Sequence, residues 1–219
     1  MDFAAARRAM VDSQVRPSDV TDLRILAAML ELPRERFVPE AQQATAYADF
    51  DVPVTHGNRD VRRLLKPMVL AKLVHAANVR DTDHVLDVGC ATGYSSALLA
   101  RLAGSVVALE EEPLARHAKQ TLASLGETRI DVVTGPLAAG WPPGAPYDLV
   151  FLNGSTEVVP RAYAPQLKEG GRLAAVVGKG PAAKAMIYRW IDGDFSGWPV
   201  FDAGAPLLPG FAAPPSFVF

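Results

Sequence analysis

The chain has 219 residues, 49% hydrophobic and 21% charged, which is enough apolar material for a sizeable buried core and excludes a disordered chain. A formal net charge of −2 and a sequence pI near 6.1 give no global electrostatic case for nucleic acid or an anionic membrane. The single cysteine, Cys90, excludes an internal disulfide and a cysteine-based metal cluster, and no apolar run is long enough to span a bilayer.

In chain order, Phe3 to Val15 has helical apolar spacing, and Arg16-Pro17 ends it. Ser18 or Thr21 is placed to cap a second helix from Leu23 to Leu30, which stops near Pro33. These pieces predict an amino-terminal helical cover. Arg34 to Pro39 reads as a bend with two anchoring apolar residues, Ala41 to Tyr47 as a short helix, and Asp49 to Val54 as an extended segment. The stretch from His56 to Pro67 carries Arg59, Arg62, Arg63 and Lys66. It is either a solvated loop or a lid whose cations hold an acidic ligand. Pro67 suits the first turn of a helix through Val79.

From His84 a strand and helix alternation begins. Strands are expected at His84 to Val88, Ser105 to Glu110, Arg129 to Thr134, Tyr147 to Asn153 and Arg172 to Val177, with helices from Ser95, from Pro113 and over Val158 to Leu167. Glu169-Gly170-Gly171 reads as a tight turn. Beyond Gly180 the segments Ala185 to Ile191, Trp198 to Phe201 and Ser216 to Phe219 read as strands with short connections, and Gly204 to Pro215 as a loop. The fold class is therefore α/β: a mostly parallel twisted sheet with helices on both faces, antiparallel carboxyl-terminal edge strands and the helical cover. One domain over 1–219 is expected, divided into a cover and substrate loop (1–66), a core (67–178) and terminal strands (179–219).

The loop Asp87-Val88-Gly89-Cys90-Ala91-Thr92-Gly93 lies between a strand and a helix, and its glycines let a ligand approach the backbone at a strand's carboxyl end. It lacks the second and third glycines of a dinucleotide fingerprint, and the chain has no triphosphate-binding loop. A nucleoside without a phosphate chain is the ligand that remains. Glu110 follows at the spacing of a ribose-binding acid. Asp87 is otherwise a helix-capping acid, and Glu110 otherwise an exposed strand end.

Asp87-x-Gly89-x-x-Thr92-Gly93 resembles motif I of Rossmann-like S-adenosylmethionine-dependent methyltransferases, and the stretch Leu167 to Leu173 looks like that fold's approach to its fifth strand. Further segments resemble one family, the protein-L-isoaspartate O-methyltransferases: Pro33 to Pro39, Ala46-Tyr47-Ala48-Asp49, His56-Gly57, and Gly140-Trp141-Pro142 before Pro146-Tyr147-Asp148, all in the family's order. The resemblance implies S-adenosyl-L-methionine as cofactor and S-adenosyl-L-homocysteine as product, with no metal. It implies cofactor contacts at Asp87, Gly89, Cys90, Gly93, Glu110, Pro136 and Leu137. His56, Arg59 and Asn153 are the candidates to face the substrate, with His56 equally suited to a structural turn; no catalytic residue is assigned. The chain departs from the family at two places. Leu65 stands where the family's Thr-x-Ser-x-Pro segment has its serine, and Pro136 stands where an adenine-binding acid is expected.

Three functions follow from these readings. The first is methylation of the carboxylate of L-isoaspartyl residues in damaged proteins or peptides. The second is a related methyltransferase with a different acidic acceptor. The third is a non-catalytic nucleoside-binding module of the same fold. A cytoplasmic location, no nucleic-acid or membrane partner, and a monomer or dimer are expected with all three.

Overall fold

A computed structural model describes residues 1–55 and 61–214. Helix α1 (Phe3–Met10) is capped by Asp2, whose carboxylate accepts from the Ala5 amide at 3.0 Å. The coil then continues through a π-type turn, Val11–Val15, into a 3-10 turn, Arg16–Ser18, instead of stopping at Pro17. Pro17 sits in the opening positions of that last turn. Helix α2 (Leu23–Glu31) is capped by Asp22, not by Ser18 or Thr21, with its carboxylate 2.8 Å from the Arg24 amide. The Ser18 hydroxyl donates back to the Gln14 carbonyl.

Two short strands, β1 (Val52–Pro53) and β2 (Arg63–Leu64), pair antiparallel, so part of the expected loop is tied down as a hairpin arm. After α3 (Pro67–Ala77) come β3 (His84–Val88), α4 (Tyr94–Ala100), β4 (Ser105–Glu110), α5 (Leu114–Ser124), β5 (Ile130–Thr134), β6 (Tyr147–Thr156) and β7 (Leu167–Val177). The chain closes with β8 (Lys184–Ile191) and β9 (Asp194–Asp202). The sheet order is β5-β4-β3-β6-β7-β8-β9, parallel through β7 and antiparallel at β8 and β9, as the sequence predicts. Strand connections reverse direction between β3 and β6, which makes the carboxyl ends of those strands the ligand-binding edge of this architecture. Glu169 to Gly171 is a bulge inside β7 and not a turn between elements.

The two faces of the sheet are covered differently. Alternate strand residues such as Val85, Val106, Leu149 and Phe151 pack with side chains from the five α-helices of the described residues. The opposite residues, Leu86, Val107, Val150 and Leu152, pack on short 3-10 turns at Leu137–Ala139 and Arg161–Gln166 and on Leu208 and Phe211. The expected helix over Val158 to Leu167 is thus a 3-10 turn, and a strap of chain after β9 completes that layer. The expected strand Ser216 to Phe219 lies outside the described residues. No helix among the described residues is long and apolar enough to cross a membrane.

The cover is locked to the core by Arg34, which is fully buried. Its Nε donates to the Ala46 carbonyl and its Nη2 to the Leu65 carbonyl, each at 2.7 Å, and its guanidinium lies 4.6 Å from the Tyr94 ring centre. Replacing it by a residue of similar bulk without donors orphans two carbonyls. Arg34→Met is therefore expected to lower the unfolding free energy by about 3 kcal/mol, read from urea denaturation.

Candidate functional site

Strand β3 delivers Asp87 and then turns at Gly89 (φ 74°), Ala91 (φ 53°) and Gly93 (φ 98°) before entering α4. A Cβ on Gly93 would stand 3.0 Å from Leu122, so the glycine also lets α5 pack closely against the loop. Behind the loop, the Thr92 hydroxyl donates to the Phe37 carbonyl at 2.5 Å, and Phe37 meets Tyr94 edge-on at 5.3 Å. The bend at Arg34 to Pro39 is thus the rear wall of the loop.

Asp87 is fully buried and accepts from the hydroxyls of Ser95 and Ser96, both at 2.6 Å on Oδ2. It binds side chains of the first turn of α4 and is not a backbone cap. Among the described residues its Oδ1 has no partner, and neither has Oδ1 of Asn153. Burial pushes the Asp87 carboxyl up to about 6, against the two serine hydrogen bonds and with help from the nearby Glu110 charge.

Glu110, at the end of β4, is also fully buried. Each carboxylate oxygen accepts one guanidinium nitrogen of Arg62 at 2.9 Å. The amides of Ala91 and Glu111 add bonds of 2.7 and 2.9 Å. Burial raises the Glu110 carboxyl even so, while Arg62 and the two amides oppose that rise. Arg62 comes from the hairpin arm, where its own amide donates to Thr55 Oγ1 and its carbonyl accepts from the Val54 amide. Among the described cations of this stretch, it turns inward to an acid of the chain itself, and its side chain is about 10% exposed. Arg63 instead reaches the Asp51 carbonyl, and the Lys66 backbone amide is held by the Asp51 carboxylate.

Arg62 Nη2 also donates to the Gly89 carbonyl at 3.1 Å, and Asn153 Nδ2 donates to the same oxygen at 3.1 Å. Asn153 therefore does lie at the switch-point edge, on the glycine turn. A Cβ built on Gly89 would meet Leu208 at 2.8 Å, Arg62 Nη2 at 3.1 Å and Leu137 at 3.5 Å. One built on Gly154 would meet Leu208 at 2.7 Å. The strap that carries Leu208 is stitched to β6: the Ser155 amide donates to the Pro206 carbonyl, the Leu208 amide to the Ser155 carbonyl, and the Glu157 amide to the Phe211 carbonyl.

The other expected cofactor residues gather at the same edge. Cys90 is buried in the turn, with its thiol pushed up by burial. Pro136 precedes the 3-10 turn of Leu137, whose side chain is buried beside Gly89 and whose carbonyl accepts from the Tyr163 hydroxyl. His56 and Arg59 lie outside the described residues. Leu208 was not among the expected site residues, because an apolar residue in a proline- and glycine-rich tail carries no chemical signature. Arg62 carried a signal only as one of several loop cations.

The polar groups are of the kind a nucleoside needs: a buried carboxylate at a strand end, a glycine turn, and two buried acceptors without partners among the described residues. The room over them does not admit one, because in this conformation both Glu110 oxygens are taken by Arg62 and the face of Gly89 is taken by Leu208.

Comparison with known proteins gives a consistent result. The family model described as Protein-L-isoaspartate(D-aspartate) O-methyltransferase matches residues 5–196. A protein-L-isoaspartate O-methyltransferase 1 of Rhodopseudomonas palustris is 37% identical over 186 residues, 84% of this chain and 74% of the relative. One from Methanoculleus marisnigri is 39% identical over 173 residues, 78% of this chain and 77% of the relative. Among solved structures, a protein-L-isoaspartate O-methyltransferase superposes with a TM-score of 0.82 at 24% identity, over 93% of this chain and 66% of that one. A Plasmodium falciparum protein described as a putative protein-L-isoaspartate O-methyltransferase in complex with S-adenosyl-L-homocysteine gives 0.75 at 17% identity, over 95% of this chain and 98% of that one. At these identities the two structures show the shared fold.

The raised carboxyl of Asp87 makes a stability test. An acid whose folded pKa lies above its unfolded value contributes stability that is full below about 4 and lost as pH rises through about 6. Asp87→Asn removes that loss. The variant is expected to gain about 3 kcal/mol over the native chain at pH 7.5 and to lose the gain near pH 4, read from urea midpoints across that range.

Proposed function

The chain belongs to the protein-L-isoaspartate O-methyltransferase family, and from that premise we propose that it methylates the α-carboxylate of L-isoaspartyl residues in damaged proteins or peptides. The observation that carries this reading is a buried acid at the end of β4 beside a glycine turn at the end of β3. When bound, S-adenosylmethionine supplies an electrophilic methyl group on a sulfonium. In this reading Glu110 receives the ribose hydroxyls, Gly89 and Gly93 keep the loop backbone open to the nucleoside, and Cys90 and Leu137 line it. Pro136 offers neither a carboxylate nor an amide donor, so this chain lacks the acid its family relatives are expected to use at the adenine. Asp87 acts through Ser95 and Ser96, fixing the first turn of α4 under the loop.

The acceptor carboxylate, with an unperturbed pKa of about 4, is ionised at neutral pH and needs no general base. With the cofactor bound, an oxygen of that carboxylate would take the methyl group in place of the carbon–sulfur bond, whose electron pair would stay on sulfur. The protein's part is to align the two partners and exclude competing water, a contribution of several orders of magnitude in such displacements. Asn153, anchored to the Gly89 carbonyl with its own oxygen free, is the described side chain best placed to orient an acceptor. The lone cysteine is free, and the reading places the reaction in the cytoplasm on damaged protein chains.

A different acidic acceptor is the second reading, and Leu65 favours it. That residue is buried with its carbonyl held by Arg34, so no hydroxyl faces an acceptor at the position of the family's serine. Incubation with methyl-labelled S-adenosylmethionine separates the two. An isoaspartyl peptide is expected to gain base-labile label at least about tenfold above its aspartyl counterpart. Equal labelling of the two peptides, or none, rejects isoaspartyl specificity.

A further inference from the structure

We propose that the nucleoside site is held shut by the chain's own Arg62 and Leu208, and that the cofactor binds only by displacing both. The inference rests on the reading that this is a nucleoside site at all. Two segments far apart in sequence converge on one glycine. Arg62 arrives from the hairpin arm of β1 and β2, and Leu208 from the strap after β9.

The competition is for the same atoms. A ribose offers two hydroxyl donors to a carboxylate, and here both oxygens of Glu110 already receive a charged, bidentate donor at 2.9 Å. Ala91 and Glu111 amides occupy further lone pairs, so a diol adds to Glu110 only where the guanidinium leaves. The second obstacle is steric. Leu208 lies where a Cβ on either Gly89 or Gly154 would stand, which fills the backbone approach that the glycines otherwise leave open. The side chain is 3% exposed, and its backbone is bonded on both sides to β6. Arg62 is not stranded by accident either, since it bridges Glu110 to the Gly89 carbonyl and its backbone is paired in the hairpin.

A protein that must open before binding shows an apparent dissociation constant raised by the reciprocal of its open fraction. Loosening the plug therefore has opposite effects on two measurements. The unliganded protein loses contacts and melts at a lower temperature, while its affinity for S-adenosylhomocysteine rises. Truncating a residue that merely supports the fold lowers the melting temperature as well, but leaves the affinity unchanged or lowers it.

The test is calorimetric titration of S-adenosylhomocysteine into the native chain, Arg62→Gln and Leu208→Ala, with melting temperatures of the three unliganded proteins. Leu208→Ala touches no ion pair and carries the test by itself where Arg62→Gln, which strands the Glu110 charge, fails to fold. The expected result is a lower melting temperature together with at least about tenfold tighter binding in each folded variant. Measurable binding to the native chain that is unchanged or weakened by both substitutions overturns the plug and leaves the cofactor reading standing. No binding by any of the three proteins overturns both.

Discussion

Burying a carboxylate at the end of a strand is the constraint on which the rest of this site depends. Glu110 has no water to ionise into, and its surroundings supply four hydrogen bonds, two of them from one guanidinium. Breaking such a pair by removing one partner typically costs several kcal/mol, because the other charge is left in a low-dielectric interior. Asp87 sits near enough for its own carboxyl to be raised further by Glu110. Two acids and one cation thus share the edge of the sheet, and Arg62 is the group that makes their burial tolerable. The hairpin of β1 and β2 holds the backbone from which that guanidinium reaches inward.

The rear of the loop answers to a second buried cation. Among the described residues Arg34 bonds to no carboxylate; two backbone carbonyls take its Nε and Nη2, and the face of Tyr94 lies against its charge. Through these contacts the segments at 33–39, 46–49 and 65 become one wall, and Thr92 fastens the glycine turn to it through the Phe37 carbonyl. Glu35 accepts from the Tyr47 hydroxyl, and Arg7 donates to the same tyrosine, which extends the wall to α1. The family-like segments of the sequence are therefore mostly scaffolding for the loop. Their match to relatives speaks for the shape of the nucleoside edge more than for the chemistry of the acceptor.

The periodic parts of the chain were legible. Alternating apolar runs placed all five parallel strands and the antiparallel edge, because burial on both faces leaves continuous Val, Leu and Ala stretches. That Asp87, Gly89 and Glu110 meet at one edge was legible, because they stand at the ends of two strands that the alternation makes parallel neighbours. The capping residue of α2 was misread since Ser18, Thr21 and Asp22 are all competent caps, and only the backbone decides which is in place. What the sequence hid is where a side chain turns. Arg62 is one cation among several in a loop, and inward orientation depends on a two-residue strand pair that has no periodicity to detect. Leu208 is hidden for the complementary reason, since its partners are glycines 119 and 54 positions earlier, and an absence of side chains leaves no pattern.

The closure follows from how unevenly the sheet is covered. Among the described residues five α-helices pack one face, whereas on the other Leu86, Val107, Val150 and Leu152 share a cluster with side chains of short 3-10 turns and of the strap. Apolar area left in water costs roughly 25 cal/mol per Å², so something must complete the layer. The strap does so with Leu208 and Phe211, the latter stacked on Tyr163 at 6.3 Å. Seating the strap along β6 places Leu208 against Gly154, and the neighbouring strand end brings it onto Gly89 as well. The side chain that finishes the core is thereby the side chain that covers the nucleoside edge. Opening the site and opening that part of the core are the same event, which ties the affinity of the site to the stability of the second layer.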